Sequence, residues 1–316
     1  MSPVVAVLEP FDAAMQAKVR EIVGDGLTLV FPKSAELSDL IEAVQQAEFA
    51  VVRAIKMPAS LLDHARQLRA IHQWGTGTDG LPIAAAKARG ILLARSPGKN
   101  APSVADLTLG LMLATLRRIV VADQRIRAGL WLEPNIYDIG RDLTGSCVGL
   151  VGFGAIGQAV AKRLAGFDCN VLYTRASGPL QGAAFEFVTL EDMLDRCDII
   201  SLHLPLTDTT RHIFDRAKLG RMRKGAVLIN TSRGGLVDQI ALGDLLEIGH
   251  LGGAGIDAFD SEPMPIEAPL RQAPNTVFTP HCGGGTRDNL IRIVRHWSEN
   301  LHKIAAGRPL DPLDVV

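Results

Sequence analysis

Short apolar runs separated by amphipathic stretches set the rhythm of the first hundred residues. Val4 to Leu8, Leu27 to Phe31, Ala50 to Arg53, Ala70 to Trp74 and Ile91 to Ala94 read as strands, and the stretches between them read as helices. That alternation predicts a parallel sheet with helices on both faces. A long apolar helix is expected from near Ala101, followed by a second alternating series. Its strands are expected at Val148 to Val151, Asn170 to Thr174, Ile199 to His203, Val227 to Asn230, Gly255 to Ala258 and Thr276 to Thr279. The pattern therefore predicts two doubly wound sheets. From Thr286 to Gly307 the apolar positions Leu290, Ile293, Val294, Trp297, Leu301 and Ile304 fall at helical spacing with no strand after them. This last helix is expected to pack back on the first lobe. Glycine and proline clusters at Ser96 to Gly98 and His281 to Gly285 are the expected hinges.

A length of 316 residues fits two domains, each able to bury its own core. The 33 Lys and Arg balance 34 Asp and Glu, and no long run of one sign occurs, which argues against nucleic acid or an anionic membrane as a partner. The start, MSPVVAVLEP, has neither the basic nor the apolar region of a secretory signal. Leu107 to Leu116 is the most apolar helical stretch, is about half the length a bilayer needs, and is closed by Arg117 and Arg118. Cys147, Cys169, Cys197 and Cys282 are scattered, without a CxxC pair or ligand-like spacing to the histidines, so neither a disulfide framework nor a metal site is expected. A reducing cytoplasm is the expected location.

The first chemical signal is VGFGAIGQ, where Gly152, Gly154 and Gly157 have GxGxxG spacing directly after a strand and at the start of a helix. In that context the first glycine permits the turn, the second lets backbone approach a pyrophosphate, and the third allows close helix packing. A dinucleotide site normally adds an acidic residue about 20 positions on for the ribose 2′-hydroxyl. No acid lies between Val171 and Pro179; Asp168 comes before the strand and Glu186 too late. Arg175 occupies the place with Ser177 close by, a pair suited to a 2′-phosphate. NADP(H) is thus expected in preference to NAD(H), with NAD as the alternative.

Three further segments each follow an expected strand: LINTSRGG around Arg233, AGIDAFDSEP around Glu262, and TPHCGGGT around His281. In a doubly wound sheet, groups beyond the carboxyl ends of strands can converge on one crevice. With SLHLPLT at Ser201 to Thr207 and WGTGTDG at Trp74 to Gly80, these segments resemble the D-isomer-specific 2-hydroxyacid dehydrogenase family over nearly the whole chain. The resemblance implies a flavodoxin-like substrate domain (1–98 and 289–316) into which a Rossmann cofactor domain (99–288) is inserted, and usually a homodimer. It implies that Arg233 holds the substrate carboxylate and polarises the carbonyl, that His281 is the acid and base, and that Glu262 orients His281. Gly75, Thr76 and Gly77 would offer backbone amides to the carboxylate, with closure of the two lobes about Gly98 and Gly285. Asp257 would sit beside the nicotinamide amide. Phe153, Ala155, Ile156, Leu204, Pro205, Thr210, Thr231, His281 and Gly283 complete the implied cofactor site. The chemistry asks for the same types: a proton donor for the developing alkoxide, a carboxylate favouring the imidazolium, and a planar fork for a carboxylate.

Glutamate at 262, where the superfamily's formate dehydrogenases carry glutamine, argues for a hydroxyacid substrate. Asp106 stands where a glutamate is more usual, without a consequence legible in the sequence. The expected reaction is reduction of a small 2-keto acid of the glyoxylate or hydroxypyruvate type. A short D-3-phosphoglycerate dehydrogenase is one alternative, for which Arg53 and Lys56 would meet the phosphate, although no regulatory domain follows Val316. A cofactor-sensing, corepressor-like binding protein is the other.

Overall fold

In the computed structural model, which describes residues 2–316, the strand runs pair into two sheets in which every pairing is parallel. The chain divides into two units, one of residues up to Asn100 together with Thr286–Val316 and one of Ala101–Gly285. The first contains β1 (Val4–Val7), α1 (Ala13–Val23), β2 (Thr28–Val30), α2 (Leu37–Val44), β3 (Phe49–Val52), β4 (Ala70–Gln73), α3 (Ile83–Ala88) and β5 (Leu92–Ala94). Its order, β2-β1-β3-β4-β5, is the flavodoxin-like one. Both β3 and β4 are buried at all their positions, which is why β3, Phe-Ala-Val-Val, is a continuous apolar run rather than an alternating one, while β4 buries His72 and Gln73.

The second unit contains α4 (Ala101–Leu116), α5 (Ile119–Arg127), α6 (Ile136–Ile139), β6 (Cys147–Val151), α7 (Ala155–Leu164), β7 (Asn170–Thr174), β8 (Glu186–Phe187), α8 (Leu190–Arg196), β9 (Ile199–Leu202), α9 (Arg216–Arg221), β10 (Val227–Asn230), α10 (Gln239–Glu247), β11 (Gly253–Ile256) and β12 (Thr276–Phe278). The order β12-β11-β10-β9-β6-β7-β8 is the Rossmann order carried one strand further. It reverses direction between β6 and β9, so the glycine loop after β6 opens at the switch point. The last helix, α11 (Arg287–Ala305), returns to the first unit. Its Ile293, Val294, Trp297 and Leu301 are buried with Val5, Val7, Phe49 and Ala70 of the first sheet.

Two strands differ from the reading of the sequence by more than a residue at an end. β11 begins at Gly253 rather than Gly255, and its glycines are the reason. A Cβ on Gly253 would come within 2.6 Å of Thr115 Cγ2, and one on Gly255 within 2.9 Å of Leu111 Cβ. The strand's residues are small because α4 lies against it, so no apolar run announces its start. The two-residue β8 was not anticipated; it pairs only Glu186 and Phe187 with β7, too short a stretch for a pattern. Asp106 acquires a partner here, since Arg163 Nε of α7 donates to its Oδ1 at 2.5 Å and ties α4 to α7. Among the described residues, no helix is long and apolar enough to cross a membrane.

Candidate active site

The glycine loop after β6 carries the three features a dinucleotide pyrophosphate needs. Gly152 has φ of 98°, and a Cβ there would stand 2.3 Å from His203 O, so only glycine makes this turn. A Cβ on Gly157 would stand 2.3 Å from Gly152 O, so the absence of a side chain lets α7 approach the loop. Gly154, by contrast, faces open space, and it and Ala155 are exposed at the first turn of α7. Amides at the start of a helix, backed by its dipole and unobstructed by side chains, fit a phosphate.

Gly152 N–H donates to Thr174 O at 2.9 Å, which sets the end of β7 beside the loop. The next residue, Arg175, donates from Nε to Ser177 Oγ at 2.6 Å, so the cation and the hydroxyl form one polar group at this edge. Asp168 has left-handed backbone (φ 53°) before β7, at the end of the strand away from the glycine loop. Glu186 is held by both terminal nitrogens of Arg196. Neither acid stands at the carboxyl end of β7.

The other residues implied in the cofactor site are of two kinds. Phe153 is buried and stacked on Tyr173, with ring centroids 4.0 Å apart, so only its backbone is available to a ligand. Thr231 is buried with its hydroxyl against that of Thr108 at 2.9 Å. Leu204 lies against Gly152, and Thr210 closes the loop that follows by donating to Pro205 O at 2.8 Å and accepting from Thr207 N–H at 2.8 Å. His203 is the cation one would suspect beside the glycine loop. Burial pushes its ring down to about 3, with Nε2 against Ser201 Oγ at 3.0 Å, so it is a neutral structural histidine.

Beyond β10, β11 and β12, three neighbouring strands deliver Arg233, Glu262 and His281 at the same edge of the sheet. His281 Nδ1 and Glu262 Oε2 are 2.7 Å apart, and Phe259 N–H donates to Glu262 Oε1 at 2.9 Å. The carboxylate is therefore fixed by backbone on one side and faces the imidazole on the other. The Arg233 turn is held by Asn230, whose Nδ2 donates to Arg233 O at 2.8 Å and whose Oδ1 accepts from Ser232 N–H at 3.0 Å. Gly234 presses directly on the Glu262 loop: a Cβ there would meet Phe259 C at 1.9 Å and Asp260 N at 2.2 Å. The turn that carries Arg233 and the loop that carries Glu262 are thus in backbone contact.

Asp257 explains how His281 is held. His281 has left-handed backbone (φ 49°), and its N–H donates to Asp257 O at 2.9 Å. The buried Asp257 carboxylate accepts from Thr279 Oγ1 at 2.6 Å, Cys282 N–H at 2.8 Å and Gly283 N–H at 2.9 Å. Sequence reasoning nominated Asp257 as a nicotinamide neighbour and overlooked Thr279; here both oxygens of the carboxylate are anchors of the His281 loop. Only the combination of an acid directly after β11 with a hydroxyl two residues before the histidine could have suggested it.

In the first unit, Gly75, Thr76 and Gly77 follow β4, and Thr76 Oγ1 donates to Ser96 O at 3.2 Å and accepts from Gly98 N–H at 3.3 Å. Arg53 is paired with Glu9 at 2.9 Å and lies over the Phe11 ring.

Residues 109–283 match the family described as D-isomer specific 2-hydroxyacid dehydrogenase, NAD binding domain. A glyoxylate reductase of Thermofilum pendens is 40% identical over 80% of this chain and 76% of its own length. A hydroxypyruvate reductase of Thermotoga maritima is 36% identical over 85% of this chain and 88% of its own length. Among solved structures, the NADPH-dependent glyoxylate/hydroxypyruvate reductase of Sinorhizobium meliloti, in complex with NADP and malonate, superposes with a TM-score of 0.85 at 29% identity, covering 100% of this chain and 97% of that one.

Proposed function

The chain belongs to the D-isomer-specific 2-hydroxyacid dehydrogenase family, and from that premise we propose that it reduces a small 2-keto acid of the glyoxylate or hydroxypyruvate kind, with NADPH as the reductant. As a family member it is an oxidoreductase. The observation that carries the reading is the His281–Glu262 contact of 2.7 Å, at the sheet edge where Arg233 and the glycine loop also lie.

The backbone amides of Gly154, Ala155, Ile156 and Gly157 would hold the pyrophosphate, and Arg175 with Ser177 the 2′-phosphate. When bound, the dinucleotide supplies the hydride that arrives at C2 of the keto acid. Charge then develops on the substrate oxygen. With Nδ1 facing the Glu262 carboxylate, His281 keeps a proton there and presents Nε2 as the nitrogen that donates to this oxygen. The carboxylate stabilises the imidazolium until the proton leaves. Arg233 would hold the substrate carboxylate with its planar fork and polarise the carbonyl. Gly75, Thr76 and Gly77 are proposed as further substrate-binding residues. Of the two cations that a phosphorylated substrate would use, Arg53 is tied to Glu9. We place the protein in the cytoplasm, as a homodimer.

The test is turnover on a panel of 2-keto acids with each reduced cofactor, for the unmodified protein and for His281→Ala and Glu262→Gln. His281→Ala is expected to lose about 10²–10⁴-fold in turnover, the scale of a general acid, with dinucleotide binding nearly unchanged. Glu262→Gln is expected to lower turnover as well, because it removes the carboxylate that faces Nδ1 and fixes the ring. No turnover on any keto acid would favour a binding protein, and near-normal turnover of His281→Ala would end this mechanism.

A further inference from the structure

At the amino-terminal ends of β6 and β9, away from the glycine loop, the fold brings together two cysteines that lie fifty positions apart. Cys147 Sγ and Cys197 Sγ are 3.5 Å from one another. β6 and β9 are neighbours in register, Val148 opposite Ile199. The ladder is closed below that pair by Asp198 N–H donating to Cys147 O at 2.8 Å and by Cys147 N–H donating to Asp198 Oδ2 at 2.9 Å. Cys197, the residue that ends α8, is therefore held beside the first residue of β6. It is buried, and it occupies space left by Gly149, where a Cβ would come within 2.9 Å of its sulfur. Cys147 is only partly buried.

The two thiols are unequal. The Cys197 S–H, donated to the Cys147 sulfur, holds the Cys147 thiol below its ordinary range; Arg196 and Arg223 add to this, against burial and Asp198. Donating that proton and being buried push Cys197 up. Arg196 is paired with Glu186 and Arg223 with Asp198, so both cations are fixed in place. A partly exposed thiol whose proton is held less tightly than usual, next to a second thiol that retains its own, is the arrangement in which a first sulfur is oxidised and a second resolves it. Among the described residues, neither Cys169, whose S–H donates to Leu143 O at 3.3 Å, nor the exposed Cys282 lies against another thiol.

We propose that Cys147 and Cys197 form a modification site, a dithiol that hydroperoxides convert to an intramolecular disulfide. The Cys147 thiolate attacks the peroxide oxygen, the O–O bond breaks, and Cys147 becomes a sulfenic acid as hydroxide leaves. Cys197 sulfur then displaces the sulfenic hydroxyl, its proton leaving with that group as water. Two thiols are oxidised, one peroxide is reduced, and two waters result. The sulfurs must close from 3.5 Å to about 2.05 Å, a movement shared between a strand end and a helix end. The pair lies at the amino ends of β6 and β9, and the residues proposed for catalysis follow β10, β11 and β12 at the opposite, carboxyl side of the sheet, so the modification is independent of the reductase reading.

The experiment treats the reduced full-length protein with a few equivalents of hydrogen peroxide, blocks remaining thiols with N-ethylmaleimide, and maps the peptides by mass spectrometry. A Cys147–Cys197 cross-link that dithiothreitol reverses is expected. In Cys197→Ser, Cys147 is expected to persist as a sulfenic acid that dimedone traps; in Cys147→Ser, Cys197 is expected to stay reduced. Unmodified Cys147, its direct conversion to sulfinic acid with Cys197 still a thiol, or a cross-link to Cys169 or Cys282 instead would overturn the proposal. The unmodified protein alone gives these outcomes, so the answer survives if either variant fails to fold.

Discussion

At the scale of single residues, cofactor choice rests on the end of β7. Arg175 donates to Ser177 there, and both acids near it in sequence are elsewhere, Asp168 at the other end of the strand and Glu186 held by Arg196. A carboxylate at position 175 would remove the cation and offer an acceptor to a ribose 2′-hydroxyl. Arg175→Asp is expected to raise the Michaelis constant for NADPH and lower that for NADH, each by roughly ten- to a hundredfold, on the scale of one charge-assisted hydrogen bond of about 1.5–3 kcal/mol. Steady-state kinetics with both cofactors check it. Equal use of NADH and NADPH by the unmodified protein would remove the premise.

The same residues mark how much of the candidate site was legible. Gly152, Gly154 and Gly157 could be read because a turn, a helix start and a close packing contact recur at fixed spacing. Arg233, Glu262 and His281 could be nominated because each stands just beyond an apolar run. The contact between Glu262 and His281 was available only through the resemblance, since spacing alone does not tell how two loops nineteen positions apart fold over neighbouring strands. The role of Thr279 could not be read, since its hydroxyl matters only because Asp257 lies under it. Contacts within a motif are local in sequence, whereas contacts between loops are set by strand order.

At the scale of elements, run length carried most of the fold, and it failed where packing required small residues, as in β11 against α4. It also says nothing about polar groups buried between elements. His72 of β4 is fully buried, with Nδ1 donating to Gln73 O at 2.8 Å and Nε2 accepting from Asn300 Nδ2 of α11 at 3.1 Å. Asn300 also donates to Asp314 at 3.0 Å, which meets His296 at 3.2 Å. Both nitrogens of His72 are used by the neutral ring, and burial above all pushes it down to about 4. Burial lowers His203 and His296 in the same direction.

A group whose folded value is depressed below 6.5 leaves the unfolded chain binding more protons between that value and about 4. Stability is then fully present above pH 6.5 and is lost as pH falls toward 4. For His72 the full loss is of the order of 3 kcal/mol. The midpoint of thermal unfolding is expected to fall by several degrees from pH 7 to pH 5, and by less in His72→Gln, which has no proton to gain. Calorimetry at the two pH values decides it: an equal fall in both proteins would mean that His72 does not contribute.

At the scale of the whole molecule, one surface of the second unit is unlike the rest. Neither α5 nor α6 buries a single residue, and the segment between them carries Leu130, Trp131 and Leu132, all more than half or half exposed. Trp131 is 84% exposed and Tyr137 90%, with Ile119, Ile126 and Ile139 exposed nearby. The segment is nonetheless built to a fixed shape. Arg118 grips Glu133 through Nε and Nη2, at 2.7–2.9 Å, and both side chains are largely shielded. A fixed apolar surface of this kind marks an interface, and a second copy of the chain is the occupant proposed. Each aromatic ring can bury about 150–250 Å², worth about 25 cal/mol per Å², so two rings from each copy bring at most about 15–25 kcal/mol. Association costs about 4–15 kcal/mol, so these rings decide whether the pair forms. Light scattering at micromolar concentration is expected to give twice the chain mass for the unmodified protein and the single-chain mass for Trp131→Glu combined with Tyr137→Glu. Because both side chains are exposed, the variant is expected to keep its fold, which circular dichroism verifies independently of mass. A single-chain mass for the unmodified protein would show that this surface has another occupant, and a double mass that survives both substitutions would move the interface elsewhere.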